Sequence, residues 1–69
     1  MLTWIQLQSS VIAAVAYQGG SLFVRIKSGE EYEYYDVPKK VYEELIKATS
    51  VGYYYNTQVK TQYDFNKIS

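Results

Sequence analysis

Cysteine and histidine are absent from this chain of 69 residues, and proline occurs once. Without cysteine there is neither a disulfide framework nor a thiolate metal site. Without histidine, imidazole-based catalytic triads, imidazole ligand sets and a pH switch near neutrality are excluded. Glu30, Glu31 and Glu33 fall in a turn and a strand, without the buried cleft that raises the pKa of a general acid. We therefore expect a non-catalytic protein that holds neither a metal nor a cofactor.

Charge is missing from the first third of the chain, since residues 1–24 carry no charged side chain. Over the whole chain, 7 basic residues balance 7 acidic ones. This balance argues against a strongly basic nucleic-acid binder, whose lysines and arginines would be in clear excess. Acidic residues concentrate in residues 30–36, whereas residues 45–69 carry three lysines against one aspartate. A weak basic face toward the C-terminus therefore remains open.

Long apolar runs are also absent. The longest extends from Val11 to Tyr17, far short of the ~20 residues that a membrane-spanning helix needs. The N-terminal stretch lacks the basic residues that begin a secretory signal. We expect a cytoplasmic protein without a membrane partner.

The chain is rich in aromatic residues, because 9 of the 69 residues are tyrosine. A domain of this size buries a modest share of its surface and is marginally stable, and each buried aromatic contributes roughly 150–250 Å². We expect one domain, residues 9–69, preceded by an extended segment, residues 1–8. Five tyrosines are predicted to be buried: Tyr17, Tyr32, Tyr34, Tyr42 and Tyr55.

Three segments predict β-strands. The β-branched, apolar run 11–17 ends at Gly19-Gly20, which suits a two-residue hairpin turn. Segments 22–27 and 31–35 alternate apolar and polar residues, as half-buried strands do. The sequence therefore predicts a three-stranded antiparallel meander.

The register of the meander follows from matching side chains across the strands. The first turn predicts three pairs: Tyr17 with Leu22, Val15 with Val24, and Ala13 with Ile26. A three-residue second loop is favoured over a two-residue loop because it keeps the apolar side chains on one face. It predicts four pairs: Ile26 with Tyr32, Val24 with Tyr34, Lys27 with Glu31, and Arg25 with Glu33. This loop would place Glu30, rather than Gly29, at a left-handed position.

The second half of the chain predicts two helices. The first extends over residues 38–48, with Pro38 in its first turn. Thr49 or Ser50 can cap the second, whose apolar stripe includes Tyr55 and Val59. We therefore expect an α+β fold in which both helices pack on one face of the sheet.

An ordered set of short motifs resembles the KTSC domain family over residues 9–63. The matching landmarks are Ser10, Ile12, Tyr17, Ser28-Gly29, Tyr32-Glu33-Tyr34, Val37-Pro38, Val41–Leu45, Ser50-x-Gly52, Tyr54-Tyr55-Asn56 and Val59-Lys60-x-x-Tyr63. The resemblance implies a small domain of uncharacterised function, found in stand-alone bacterial proteins and at the C-terminus of some lysyl-tRNA synthetases. RNA binding is suggested for it by that context.

Two functional hypotheses follow. In the first, Lys60 binds RNA together with the neighbouring aromatics Tyr53, Tyr54 and Tyr63. A positively charged side chain beside aromatic rings suits the binding of single-stranded nucleic acid. The alternative for these residues is the packing of a helix end.

In the second hypothesis, the sheet face away from the helices binds a protein partner or a second copy of the chain. Its candidate residues are Tyr35, Phe23, Arg25 and Lys27. A contiguous exposed apolar patch around Ile12, Ala14, Ala16, Phe23 and Tyr35 would favour this hypothesis. Charged pairs on a solvated sheet face are the alternative.

Overall fold

The computed structural model describes residues 2–69. The elements are β1 (Ile5–Gln6), β2 (Ile12–Gln18), β3 (Ser21–Ile26), β4 (Glu31–Tyr34), α1 (Lys39–Lys47), α2 (Val51–Tyr54) and β5 (Phe65–Lys67). A π-helical turn, Tyr55–Val59, continues α2 without a break. The strands form one antiparallel sheet in chain order, from β1 to β5. The predicted α+β class is confirmed, but the sheet has 5 strands, so the predicted three-stranded sheet is wrong.

The two additional strands lie at the edges of the sheet. β1 pairs Ile5 with Val15, and β5 pairs Phe65 with Tyr34 and Lys67 with Tyr32. Both strands are exposed along their whole length, so neither shows the apolar alternation by which a half-buried strand is recognised. Backbone hydrogen bonds hold these strands in the sheet, and backbone hydrogen bonding cannot be recognised from the pattern of side chains.

The first hairpin keeps the predicted register near its turn and changes register farther away. Tyr17 lies opposite Leu22 and Val15 opposite Val24, as predicted, but Ile12 rather than Ala13 pairs with Ile26. A β-bulge between Ile12 and Ala14 causes the change. It turns the larger Ile12 side chain into the core, where it is fully buried, and each additional buried methylene stabilises the fold by about 0.8 kcal/mol.

The second hairpin is shifted by two residues from the predicted register. Val24 lies opposite Tyr32, Leu22 opposite Tyr34, and Arg25 opposite Glu31. Because the shift is an even number of residues, each side chain keeps its predicted face. The four predicted pairs are nevertheless wrong: Ile26 with Tyr32, Val24 with Tyr34, Lys27 with Glu31 and Arg25 with Glu33.

Gly29 explains the shift. The Ile26 amide donates to the Glu30 carbonyl, and the Gly29 amide donates to the Ile26 carbonyl, so the three loop residues are 27–29. Gly29 thereby occupies the last loop position, with a φ of +105°. The predicted register would have given Glu30 a left-handed backbone, whereas this loop gives the position to a residue without a Cβ atom.

The helices follow the predicted boundaries closely. α1 starts directly after Pro38, and the Ser50 side chain caps α2 by accepting a hydrogen bond from the Tyr53 amide. A Cβ atom at Gly52 would lie 3.4 Å from Val11 Cγ2, so glycine lets the helix approach the start of β2. Within residues 2–69, no helix has both the length and the apolar character needed to cross a membrane.

The core lies between the helices and one sheet face. Its buried side chains are Ile12, Val15, Leu22, Val24, Tyr34, Val37, Leu45, Val51, Tyr55 and Val59. Three tyrosine hydroxyls in or against this layer have hydrogen-bond partners, as hydroxyls away from water need. The Tyr17 hydroxyl donates to the Val37 carbonyl over 2.6 Å, and the Tyr34 and Tyr55 hydroxyls bond to each other.

Burial raises the pKa of both Tyr34 and Tyr55, because the charged phenolate is disfavoured away from water. The bond between the two hydroxyls adds to the rise at Tyr55. Both phenols therefore resist ionisation in the folded protein at a pH where they would ionise in the unfolded chain.

Replacing Gly29 should destabilise the protein through the backbone alone. A Cβ atom at this position has no neighbour within 4 Å, so Gly29→Ala introduces strain without a steric clash. We expect the free energy of unfolding in urea to fall by about 1–2 kcal/mol. Ser28→Ala, in the same exposed loop, is the matched control and should change it by less than about 0.5 kcal/mol. Equal stabilities of the two variants would contradict the loop assignment.

Alkaline pH should unfold the protein through Tyr34 and Tyr55. Their folded-state pKa values are raised, so the unfolded chain loses these protons first as the pH increases. The free energy of unfolding should hold below about pH 10 and decline above it, by up to about 1.4 kcal/mol per pH unit for each tyrosine. Urea titrations followed by circular dichroism at several pH values would measure this. Tyr55→Phe should give a shallower decline, and an identical slope would show that Tyr55 does not contribute.

Candidate functional site

A hollow with aromatic walls opens between the sheet and the π-helical turn. Its volume is about 230 Å³. We call it the aromatic hollow; it is lined by Val11, Ile26, Glu30, Tyr32, Tyr34, Tyr55, Asn56, Lys60 and Phe65.

Four of its nine lining residues are aromatic. The alternation of β4 places Tyr32 and Tyr34 on the same face, and β5 brings Phe65 opposite Tyr34. The Phe65 ring lies 5.4 Å from the Tyr34 ring and 5.7 Å from the Tyr32 ring, between centroids. Tyr55 closes the wall from the helix side, edge-on to Tyr34 at 5.8 Å. Phe65 is 53% exposed, so part of this aromatic surface is available to a ligand.

The rim of the hollow is polar, and one of its groups is a carboxylate. Glu30 Oε2 lies 3.3 Å from Lys67 Nζ, and the Tyr32 hydroxyl donates to Glu30 Oε1 over 3.3 Å. The hydrogen bond and the positive charge of Lys67 lower the pKa of Glu30. Glu30 is therefore ionised at neutral pH. Within residues 2–69, acidic side chains do not form a group of three or more that could hold a metal ion.

The π-helical turn supplies the other two polar groups of the rim. The Lys60 amide donates to the Tyr55 carbonyl over 2.9 Å, five residues back instead of the usual four. Asn56 and Lys60 both line the hollow from this turn. Single π-helical turns inside α-helices are frequent at functional sites.

A second, polar hollow adjoins the first. Its volume is about 370 Å³, and it shares Val11 and Asn56 with the aromatic hollow. We call it the polar hollow; its other lining residues are Gln8, Ser9, Ser10, Thr49, Ser50, Val51, Gly52 and Tyr53. Tyr53 stands at its edge with 70% of its surface exposed. The two hollows are therefore neighbours, with four aromatic residues in the lining of the first and Tyr53 in the lining of the second.

The predicted RNA-binding residues separate into two pairs. Lys60 lines the aromatic hollow and Tyr53 the polar hollow. Tyr54 and Tyr63 are half-buried against the core and line neither hollow. The Tyr54 hydroxyl donates to Glu44 Oε1 over 2.8 Å, and burial together with this bond raises the pKa of Tyr54 to about 12. Lys60 and Tyr53 are thus the members of the predicted set that a ligand in the hollows would meet.

Asn56, Phe65 and Glu30 line the aromatic hollow but were not predicted as site residues; the sequence placed Glu30 in a turn without a cleft. Asn56 could have been found, because it lies three residues after Tyr53 and four before Lys60, a spacing that shares one face of a helix. Phe65 gave no such signal, since it reaches the hollow only through the pairing of β5. Tyr32 and Tyr34 were predicted as core residues, and they serve the core and the hollow together.

The second sheet face carries an ion pair beside an aromatic ring. Arg25 Cζ lies 4.3 Å from the centre of the Trp4 ring, and Arg25 Nε lies 2.7 Å from Glu31 Oε2. Of the other residues proposed for this face, Phe23 is half-buried between its strand neighbours, Tyr35 is exposed just after β4, and Lys27 is exposed in the loop.

Of the five residues of the apolar patch that would favour the second face, Tyr35 alone is exposed and Phe23 is half-buried. Ile12 belongs to the core on the opposite face because of the bulge, and Ala14 and Ala16 are buried. Arg25, which lies on this face, is already engaged by Trp4 and Glu31. The geometry therefore favours the hollows as the candidate site, and self-association through the second face stays a prediction.

Two proteins with related sequences were found. The chain is 34% identical over 64 residues to a lysine–tRNA ligase of Nostoc punctiforme, an alignment covering 90% of this chain and 11% of the ligase. The chain thus spans about a tenth of the ligase's length. It is also 36% identical over 59 residues to a protein of Tsukamurella paurometabola, covering 83% of this chain and 88% of that protein.

A solved structure shares the fold. The crystal structure of a KTSC domain protein from Yersinia pestis superposes with a TM-score of 0.91, at 22% identity, over 100% of both chains. The family model of the KTSC domain matches residues 8–63, which include both hollows apart from Phe65. On the strength of that match, the chain belongs to the KTSC domain family.

Proposed function

We propose that this protein is a non-catalytic module that binds single-stranded RNA, with an unstacked base seated in the aromatic hollow. The observation that carries the proposal is the combination of four aromatic rings with Lys60 at the rim of one hollow. Aromatic side chains that stack on bases, next to positive charge that meets the backbone, are how proteins bind single strands.

The size of the aromatic hollow suits one base. Its volume of about 230 Å³ is below the ~300–1,000 Å³ of pockets for drug-sized ligands. A flat ring that slides against Phe65 and Tyr32 would fill it. A base inside a duplex is stacked on both sides and cannot enter a recess, so the RNA must be single-stranded at this point.

Lys60 is placed to meet a phosphate. It is exposed, and the two ion pairs found within residues 2–69 join other residues, namely Arg25 with Glu31 and Lys67 with Glu30. A strand leaving the aromatic hollow past Asn56 would cross the polar hollow and reach Tyr53. An exposed tyrosine there offers a stacking platform for a neighbouring base.

The net charge of the chain determines how strongly we expect it to bind RNA. Net charge is zero, so few phosphates would be neutralised and binding should be moderate, with a shallow dependence on salt. The relation to part of a lysine–tRNA ligase supports the same ligand class, because that protein is named for joining lysine to a transfer RNA.

Removing the charge of Lys60 should weaken RNA binding. We expect Lys60→Gln to reduce the affinity for a short unstructured oligoribonucleotide by roughly threefold to tenfold at low salt. The steepness with which the logarithm of the binding constant falls against the logarithm of salt concentration should decrease by about 1. Fluorescence anisotropy titrations at several salt concentrations would measure both quantities. Lys47→Gln is the matched control, because Lys47 is exposed on α1 and lines neither hollow. Equal losses of affinity in the two variants would mean that Lys60 contributes only to the overall positive charge and not to a specific binding site.

Tyr53→Ala tests the stacking platform separately from charge. Tyr53 is 70% exposed, so its removal should leave the fold intact while costing about 1 kcal/mol or more of binding free energy. The proposal as a whole fails if the unmodified protein shows no affinity for single-stranded RNA at low salt.

A further inference from the structure

We propose that the aromatic hollow selects a base that carries an exocyclic amino group, cytosine over uracil, through the carboxylate of Glu30. The inference rests on the proposed RNA binding and names the base that this site prefers. Cytosine and uracil have nearly the same shape, so a preference between them must come from hydrogen bonding.

Glu30 retains room to accept one more hydrogen bond. Its Oε1 accepts from the Tyr32 hydroxyl over 3.3 Å and from the Ser28 hydroxyl over 3.4 Å, and its Oε2 faces Lys67 Nζ at 3.3 Å. A carboxylate offers about four lone-pair positions. Three partners therefore leave one position, on Oε2, for a ligand in the hollow that Glu30 lines.

The same three contacts hold the carboxylate at the rim and keep it ionised, and Lys67 lowers its pKa. An ionised carboxylate accepts hydrogen bonds and cannot donate one. A ligand group beside it must therefore be a donor, because a carbonyl oxygen in that position would be repelled.

This requirement separates the two pyrimidines. Cytosine carries the amino group N4, which is the usual partner of a glutamate or aspartate side chain, whereas uracil carries a carbonyl oxygen at the equivalent position. The remaining rim groups do not reverse the preference. The Asn56 amide can donate or accept by turning over, and Lys60 can donate to the O2 carbonyl that both bases share.

Exposure limits the size of the effect. The side chain of Glu30 is 45% exposed, so water competes for its remaining lone pair. We therefore expect a preference of about threefold to tenfold, at the low end of what a hydrogen bond to a charged group gives.

The test compares oligocytidylate with oligouridylate of equal length, titrated against the protein by fluorescence anisotropy at low salt and neutral pH. Oligocytidylate should bind about threefold to tenfold more tightly. Glu30→Gln keeps the size of the side chain but adds a donor, and it should bring the ratio of affinities close to one. Lys67→Gln is the matched control: it removes the ion pair but leaves the carboxylate, so the preference for cytosine should persist.

The outcomes separate the two proposals. Equal affinities for both oligonucleotides, or tighter binding of oligouridylate, would overturn the base preference while leaving RNA binding in place. A cytosine preference that survives in Glu30→Gln would overturn the assignment to Glu30. Absence of binding to either oligonucleotide would overturn the proposed function and this inference with it. Circular dichroism of both variants, whose changed side chains are each about half exposed, checks that they are folded.

Discussion

The contact between the Tyr34 and Tyr55 hydroxyls joins the two layers of the protein. Tyr34 comes from β4 and Tyr55 from the first residue of the π-helical turn, and both side chains are buried. Each hydroxyl is the partner that the other needs, since an unpaired hydroxyl in the core would cost about 1–3 kcal/mol. Because the two rings also meet edge-on, they set the separation of helix and sheet at the aromatic hollow.

The sequence predicted those parts of the fold whose side chains alternate between buried and exposed positions. β2, β3, β4 and both helices follow from apolar spacing, and the Ser50 cap follows from residue type. The edge strands β1 and β5 could not be predicted in this way, because all their side chains are exposed. The register error had a different origin: side-chain matching alone did not weigh the backbone preference of Gly29, which decides where the loop ends.

The candidate site was predictable to about the same extent. Lys60 and Tyr53 were found because positive charge and aromatic rings occur together in the second helical segment. Tyr54 was placed with them by proximity in sequence, yet the helix turns it toward Glu44. Phe65 could not be placed from sequence spacing, since its role depends on a strand pairing across the whole length of the helical region.

The position of β5 also affects how the protein moves. Strands β2, β3 and β4 are joined by short loops, so their pairing is local and should form early in folding. β5 pairs with β4 from the far side of the helical region in sequence, and it adds three exposed residues held by one neighbouring strand. Such an edge is the kind of element that opens without unfolding the rest. Since Phe65 is part of β5, the aromatic hollow is complete only while this strand is docked. Any ligand that contacts the Phe65 ring should favour the docked strand, so ligand affinity and the opening of β5 are linked equilibria.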